Sequence, residues 1–192
     1  DGTGDCIVSG ATSLIGNPPL SYSVWFKTNS IITGSNSIVA IGYADGTKSI
    51  GFRIENGGTY RFYVYSGATN ESVTTTIKAE IGIWTHATVV YDGLNSKLYI
   101  DGQFALQNTN TSTHLALDTS AKVALGNYID SSGNITGTAS YNGSIANFRL
   151  FNRALTTDEI YQLYAYQKEY FGLGDLSMTL KAGRLGIGTS EP

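Results

Sequence analysis

Cysteine is almost absent from this chain of 192 residues: Cys6 is the only one, so no disulfide can form within the chain. Proline is also rare, with three residues, and charged residues make up only 14% of the chain. The twelve Lys and Arg residues are scattered, and the formal net charge is −3. Because a surface that follows a nucleic-acid backbone needs clustered basic residues, the sequence argues against nucleic-acid binding.

Long apolar segments are missing as well. No run approaches the ~20 residues that are needed to cross a bilayer, and no signal peptide is visible, so we do not expect membrane insertion. The chain begins abruptly at Asp1 and stops at Pro192. We therefore expect it to be part of a longer polypeptide.

Glycine (23 residues) and tyrosine (13 residues) are frequent, and Ser, Thr and Asn are abundant, which is typical of an all-β domain with many tight turns. Residues 21–28 alternate, with Tyr22, Val24 and Phe26 on one face and Trp25 on the other. Similar strand patterns occur at 37–43, 49–65, 71–79, 85–91, 97–100, 122–126 and 143–151. About ten short strands separated by turn residues predict a two-sheet antiparallel sandwich or jelly roll.

One short helix is predicted near the C-terminus. Thr156 is followed three residues later by Glu159, which is the pattern of a capping box. Ile160, Leu163 and Tyr164 then form one apolar stripe that can pack on a sheet.

A small hairpin is predicted in the Gly-rich tail. We assign 1–170 to the jelly-roll domain and 171–192 to this tail, which is too short to fold alone. Met178 and Leu180 precede a Lys-Ala-Gly turn, and Leu185 and Ile187 follow it. We expect these four side chains to hold copies of the chain together.

The candidate catalytic residues all have a structural interpretation. Asp92 and Asp101 each precede a glycine at the end of a strand, which is typical of turn residues. His86 and His114 have no recognisable Ser or Cys partner for nucleophilic catalysis, and Cys6 is interpreted as a small buried thiol. Glucanases need paired carboxylates, ~5 Å apart in retaining enzymes, and no Glu-x-Asp-x-x-Glu pattern or near variant occurs. The sequence therefore predicts a protein that is not an enzyme.

Four segments together resemble the laminin-G-like branch of the concanavalin A-like lectin/glucanase superfamily. They are DGTGDCIV (1–8), YSVWFKT (22–28), WTHATVVYDGLNSKLYIDG (84–102) and YNGSIANFRLFNRALTTDEI (141–160). The resemblance implies a concanavalin A-like jelly roll. A second resemblance covers GRLGIGTSEP (183–192), which is similar to an element of viral and phage fibre proteins that are usually trimeric.

The laminin-G resemblance implies that the domain can bind calcium. Asp45 and Asp130 lie in two turn-like acidic segments that could supply oxygen ligands, although both are also ordinary turn residues. Asp1 and Asp5 match the first half of a second family site. The match to the second half of that site is weak, because Ala146 and Asn147 stand where the family usually has acidic residues.

Tyrosines are the candidates for sugar binding, since aromatic rings stack on the C–H faces of sugars. Tyr43 and Tyr128 flank the two acidic segments, so the predicted binding residues are Tyr43, Asp45, Tyr128 and Asp130. We expect a lectin-like domain of a virion, fibre or other extracellular surface protein that attaches to a cell-surface glycan or glycoprotein as a homotrimer. The alternatives are a structural capsid or fibre domain, a protein-binding adhesin and, least favoured, a polysaccharide-degrading enzyme.

Overall fold

The computed structural model describes residues 5–31, 33–43, 48–66, 69–109, 114–130, 132, 134–135, 139–173, 179–181 and 184–186. Two antiparallel sheets of six and five strands form a sandwich, which confirms the predicted all-β jelly roll. Neither helix in these ranges has the length and apolar character of a membrane span.

The strands are β1 (Ile7–Ala11), β2 (Leu20–Thr28), β3 (Asn36–Tyr43), β4 (Lys48–Ile54), β5 (Thr59–Ser66), β6 (Thr69–Lys78), β7 (Trp84–Tyr91), β8 (Asn95–Ile100), β9 (Gln103–Thr109), β10 (Lys122–Leu125), β11 (Gly143–Phe151), β12 (Thr179–Lys181) and β13 (Arg184–Gly186). The six-stranded sheet has the order β1-β10-β3-β4-β5-β6, and the five-stranded sheet has the order β11-β2-β7-β8-β9. The helix α1 (Thr157–Ala165) and a 3₁₀ helix (Lys168–Phe171) follow β11.

The core lies between the two sheets and is built by strand alternation. Tyr22, Val24 and Phe26, which the alternation places on one face of β2, are all buried in it. The ring of Phe26 contacts the rings of Phe52 and Tyr60 edge-on, with centroids 5.7 and 5.8 Å away. Full burial of each such side chain contributes about 1.5–3 kcal/mol, so this aromatic contact between the sheets is a main source of stability.

The helix α1 packs on the outer face of the five-stranded sheet. The Thr156 side chain accepts a hydrogen bond from the Glu159 N–H, and the Glu159 side chain accepts one from the Thr156 N–H, so the predicted capping box is confirmed. Ile160 is fully buried against Val90 and Tyr99 of the sheet. The apolar stripe therefore fixes the helix on the sandwich.

Both aspartates of the Asp-Gly pairs are turn residues, as predicted. Asp92 Oδ1 accepts hydrogen bonds from the N–H groups of Leu94 (2.9 Å) and Asn95 (2.6 Å). Asp101 adopts a left-handed φ of 49°, and its Oδ1 accepts a bond from the His86 N–H at 2.8 Å. Both carboxylates therefore stabilise the backbone of the turns by accepting hydrogen bonds from N–H groups.

Two features differ from the sequence predictions. Strand β9 was not predicted, because it is an edge strand whose side chains are mostly exposed or half-buried and so do not alternate clearly. Cys6 is half-buried rather than fully buried, since it lies at the margin of a small cluster with Ala40, Ala124 and Ile129. Even this partial burial raises the pKa of the Cys6 thiol.

The tail strands β12 and β13 form the predicted hairpin, and Leu180 lies opposite Leu185 in its register. Met178 and Ile187 lie outside the described residues. The role of these four residues in oligomerisation stays a prediction.

Candidate functional site

Alternation along the hairpin of β4 and β5 places large polar side chains on the outer face of the six-stranded sheet. Phe52 and Phe62 point into the core, so their neighbours Arg53, Arg61 and Tyr63 point outward. The register places Arg53 directly opposite Arg61. We define the arginine–tyrosine cluster as Arg53, Glu55, Arg61, Tyr63, Tyr65 and Tyr128.

One carboxylate joins the two arginines of the cluster. Glu55 Oε1 accepts hydrogen bonds from Arg53 Nε at 2.6 Å and from Arg61 Nη1 at 2.9 Å. Arg53 Nη1 also donates to the Tyr128 hydroxyl at 2.8 Å. Burial lowers the pKa of Arg53, but Tyr128 and Glu55 outweigh this effect, and the net pKa lies above its ordinary value. The cluster therefore carries two permanent positive charges and one carboxylate.

The tyrosines of the cluster form a connected aromatic surface. The Tyr63 and Tyr65 rings are stacked with centroids 4.5 Å apart, and Tyr128 meets Tyr63 edge-on at 6.2 Å. The Arg53 guanidinium lies 5.5 Å from the centre of the Tyr63 ring. Tyr63 is buried, whereas Tyr65 and Tyr128 are half-buried. The part of the surface that reaches solvent is thus formed by Tyr65, Tyr128 and the arginines.

A glycine makes room for the central ring. Gly51 is the residue opposite Tyr63, and a Cβ at Gly51 would lie 2.3 Å from the Tyr63 Oη and 2.8 Å from the Val39 carbonyl oxygen. Real Cβ atoms do not approach other atoms this closely. The Tyr63 ring can therefore lie flat on the sheet only because residue 51 has no side chain.

Several polar atoms near the cluster have unused hydrogen-bonding capacity. Within the described ranges, the Tyr63 hydroxyl and Arg61 Nε are buried without a partner. Glu55 Oε2 also has no hydrogen bond among the described residues, because both arginines bind Oε1. Burial raises the pKa values of Tyr63 and Tyr128, so both hydroxyls stay neutral near pH 7. Because the Tyr63 hydroxyl and Arg61 Nε are buried, Glu55 Oε2, on a half-buried residue, is the acceptor that a polar ligand can reach.

The structure brings one of the predicted binding residues, Tyr128, into this cluster. Tyr43 is buried at the end of β3, where its hydroxyl donates to Asp118 Oδ1 at 3.1 Å.

Asp130 Oδ1 accepts from the N–H groups of Ser132 and Asn134, so its carboxylate closes a turn. Asp45 lies outside the described residues. The binding roles of Tyr43, Asp45 and Asp130 stay predictions.

The calcium prediction has no direct support from the geometry. Across the part of the chain that the structure describes, no group of three or more His, Cys, Asp or Glu residues could hold a metal ion. Asp5 is exposed, and Asp1 and Asp45 lie outside the described residues. Calcium binding by Asp1, Asp5, Asp45 or Asp130 stays a prediction.

Arg53, Glu55 and Arg61 were not singled out in the sequence. The sequence nevertheless contains a pattern that predicts their pairing. Asn56-Gly57-Gly58 predicts a tight hairpin turn, and counting outward from this turn places residue 53 opposite residue 61. The contact of Arg53 with Tyr128, 75 residues away, had no local signal.

Comparison with known proteins agrees with this architecture. A family model described as the concanavalin A-like lectin/glucanases superfamily matches residues 1–161. The chain belongs to this superfamily. No curated protein sequence matches the chain significantly.

Several solved structures resemble the chain in fold. The CBM40 domain of the Ruminococcus gnavus IT-sialidase, bound to α2,3 sialyllactose, has a TM-score of 0.65 at 12% identity, over 82% of this chain and 97% of that one. Domain 4 of the arabinanase AbnA from Geobacillus stearothermophilus, in complex with arabinotriose, has a TM-score of 0.65 at 23% identity, over 83% and 72%. The heptameric SAP-like pentraxin from Limulus polyphemus has a TM-score of 0.61 at 17% identity, over 84% and 82%. At these identities the likeness concerns the fold.

Proposed function

We propose that this chain is a sugar-binding domain and that the arginine–tyrosine cluster is its binding surface. The observation that carries the proposal is the contact of tyrosine rings with two arginines and a carboxylate on the outer face of the six-stranded sheet. Rings provide a flat apolar surface for the C–H face of a sugar, and planar charged groups bind its hydroxyls. Two proteins of similar fold were solved with sugars, sialyllactose and arabinotriose, which supports the same ligand class here.

The proposed activity is binding without catalysis. Glycoside hydrolysis uses two carboxyl groups roughly 5–10 Å apart, one on each side of the scissile bond. The cluster contains one carboxylate, Glu55, which is held by both arginines. Its chemistry therefore supports recognition of a sugar.

A glycan array with the intact chain, with and without EDTA, identifies the ligand and tests the calcium prediction. For the best glycan, we expect Tyr65→Ala to weaken binding roughly tenfold, because a ring contact of about 1–1.5 kcal/mol is lost. Tyr161→Ala is the control, since Tyr161 is 51% exposed on α1, away from the cluster. Equal losses in both variants, or an array without any bound glycan, would refute the proposal.

A second variant disturbs the cluster at Gly51, the residue opposite Tyr63. Gly51→Ala must displace the Tyr63 ring, so it should abolish measurable binding to the same glycan, and the strain should cost about 1–3 kcal/mol of stability. Gly10→Ala is its control, because a Cβ at Gly10 has no atom within 4 Å. Unchanged affinity in folded Gly51→Ala would show that the ligand binds elsewhere.

We further propose that the domain is displayed as a trimer on a virion, fibre or other extracellular surface and attaches it to host cells. The support is the resemblance of residues 183–192 to fibre proteins and the apolar pairing position of Leu180 and Leu185 in the tail hairpin. Trimeric display would raise a weak single-site affinity by avidity. We expect a trimer in sedimentation velocity, and a monomer at high concentration would contradict this part of the proposal.

A further inference from the structure

A bulge in β11 decides which of its side chains reach the outer surface. Ala146 pairs with Trp25 and Arg149 pairs with Ser23, so three steps along β11 match two steps along β2. Asn147 within the bulge has a left-handed φ of 48°. One extra residue reverses the alternation, so Phe148 packs against the core and Arg149 lies on the outer face.

The outer face of β11, the helix α1 and the segment after α1 line a groove of about 470 Å³. Its lining includes Arg149, Phe151, Arg153, Tyr166, Gln167 and Tyr170. This volume lies within the range of roughly 300–1,000 Å³ that is usual for small-molecule sites. The groove is on the five-stranded sheet and does not include any residue of the arginine–tyrosine cluster.

The groove contains one positive charge without a counter-ion. Arg153 is paired with Glu159 through two hydrogen bonds of 2.9 and 2.6 Å. Arg149 is exposed, and within the described residues its guanidinium makes no hydrogen bond or ion pair. A free guanidinium has the geometry to bind a carboxylate through two parallel hydrogen bonds.

Two aromatic rings border the same groove. Tyr166 and Tyr170 are 78% and 85% exposed, the highest values among the large hydrophobic side chains of the described residues. The chain between them is held in place by Gln167, whose Oε1 accepts hydrogen bonds from Trp25 Nε1 (3.1 Å) and Asn147 Nδ2 (3.0 Å). Both rings therefore belong to a segment that is already held in place. Less conformational entropy is lost when a ligand binds to such a segment.

We propose that this groove is a second binding site, for a sugar residue that carries a carboxylate. Arg149 binds the carboxylate, and Tyr166 and Tyr170 contact the apolar face of the sugar ring. This site is separate from the proposed function of the arginine–tyrosine cluster, because the two lie on different sheets and use different arginines. The charge requirement predicts preference for acidic over neutral sugars and weaker binding at high ionic strength.

Titration of the intact chain with galacturonic acid, N-acetylneuraminic acid and galactose, followed by NMR chemical shifts, tests the proposal. At least one acid should shift the signals of Tyr166 and Tyr170 at millimolar concentration, and galactose should not. Arg149→Gln should weaken acid binding roughly tenfold or more, because a charge-assisted pair is lost. Tyr170→Ala should weaken it severalfold, and this ring is exposed enough for the variant to fold.

The cluster variant Arg53→Gln is the matched control and should leave acid binding at the groove unchanged. The proposal is wrong if neither acid binds the wild type, if galactose binds equally well, or if Arg149→Gln binds the acids like the wild type. A loss confined to Arg53→Gln would assign acid binding to the cluster and also overturn the second site. If no sugar binds at the arginine–tyrosine cluster while the acids still bind at the groove, only the proposed function of the cluster is refuted.

Discussion

Replacing Trp25 with alanine is expected to lower the free energy of unfolding by roughly 3–5 kcal/mol, the usual loss for a fully buried aromatic side chain. Trp25 is 0% exposed and stacks on Phe171 with centroids 4.2 Å apart and on Tyr164 at 5.9 Å. Its Nε1 donates to Gln167 Oε1 at 3.1 Å. The substitution therefore leaves a large cavity between the sheet and the helical segment, and it removes one bond that holds Gln167.

Denaturant unfolding followed by circular dichroism measures this loss. Trp84→Ala is the matched control, because Trp84 is half-buried and contacts Phe171 edge-on with centroids 4.8 Å apart, so its removal should cost clearly less. If Trp25→Ala unfolded within 1 kcal/mol of the wild type, the helical segment would not depend on this packing. Since Gln167 also anchors the groove segment, Trp25→Ala should in addition weaken acidic-sugar binding there.

Acidification is expected to destabilise the domain by up to about 3 kcal/mol through His86 alone, since each pKa unit is worth about 1.4 kcal/mol. His86 is 1% exposed beneath Trp25, and both of its ring nitrogens are buried without a partner in the described structure. Burial, followed by the charge of Arg149, lowers the pKa of His86 from 6.5 to about 4. The native state therefore holds the ring neutral.

The direction of the effect follows from this lowered pKa. Between pH 6.5 and about 4 the unfolded chain binds a proton that native His86 does not bind, so protons favour unfolding. Stability is thus complete above pH 6.5 and falls as the pH decreases toward 4. Carboxylates such as Glu159, whose pKa is lowered to about 2 by Arg153 and the capping bond, lose their contribution at lower pH.

Unfolding free energies measured from pH 7 to pH 5 test this prediction with one substitution. His86→Phe keeps a ring against Trp25 and removes the titrating nitrogens, so its stability should change much less with pH than that of the wild type. His114→Gln is the control, because it removes a histidine from an exposed position. An identical slope in His86→Phe and the wild type would show that another group causes the acid sensitivity.

The two candidate sites show why a family fold alone does not define a function. The same sandwich presents the arginine–tyrosine cluster on one sheet and the groove beside Arg149 on the other. Each site combines aromatic rings with arginine, but in the cluster both arginines are paired with Glu55, whereas Arg149 has no partner among the described residues. This difference in free charge predicts that the two sites select different sugars.

The sequence alone determined the local features of this protein. Alternation along β2 placed Phe26 and Trp25 on opposite faces, Asp-Gly pairs located turns at Asp92 and Asp101, and Thr156 with Glu159 marked the start of α1. These signals were readable because they depend on residues only a few positions apart, through strand periodicity, backbone conformation and capping.

The tertiary structure alone decided how the sites are assembled. It brought Tyr128 to Arg53 across 75 residues, and Gln167 to Trp25 across 142. It also inserted the bulge at Asn147 that turns Arg149 outward, which a count of alternating residues along β11 does not reveal. Such contacts depend on strand register and on packing between segments far apart in the chain, and neither leaves a pattern in the nearby sequence.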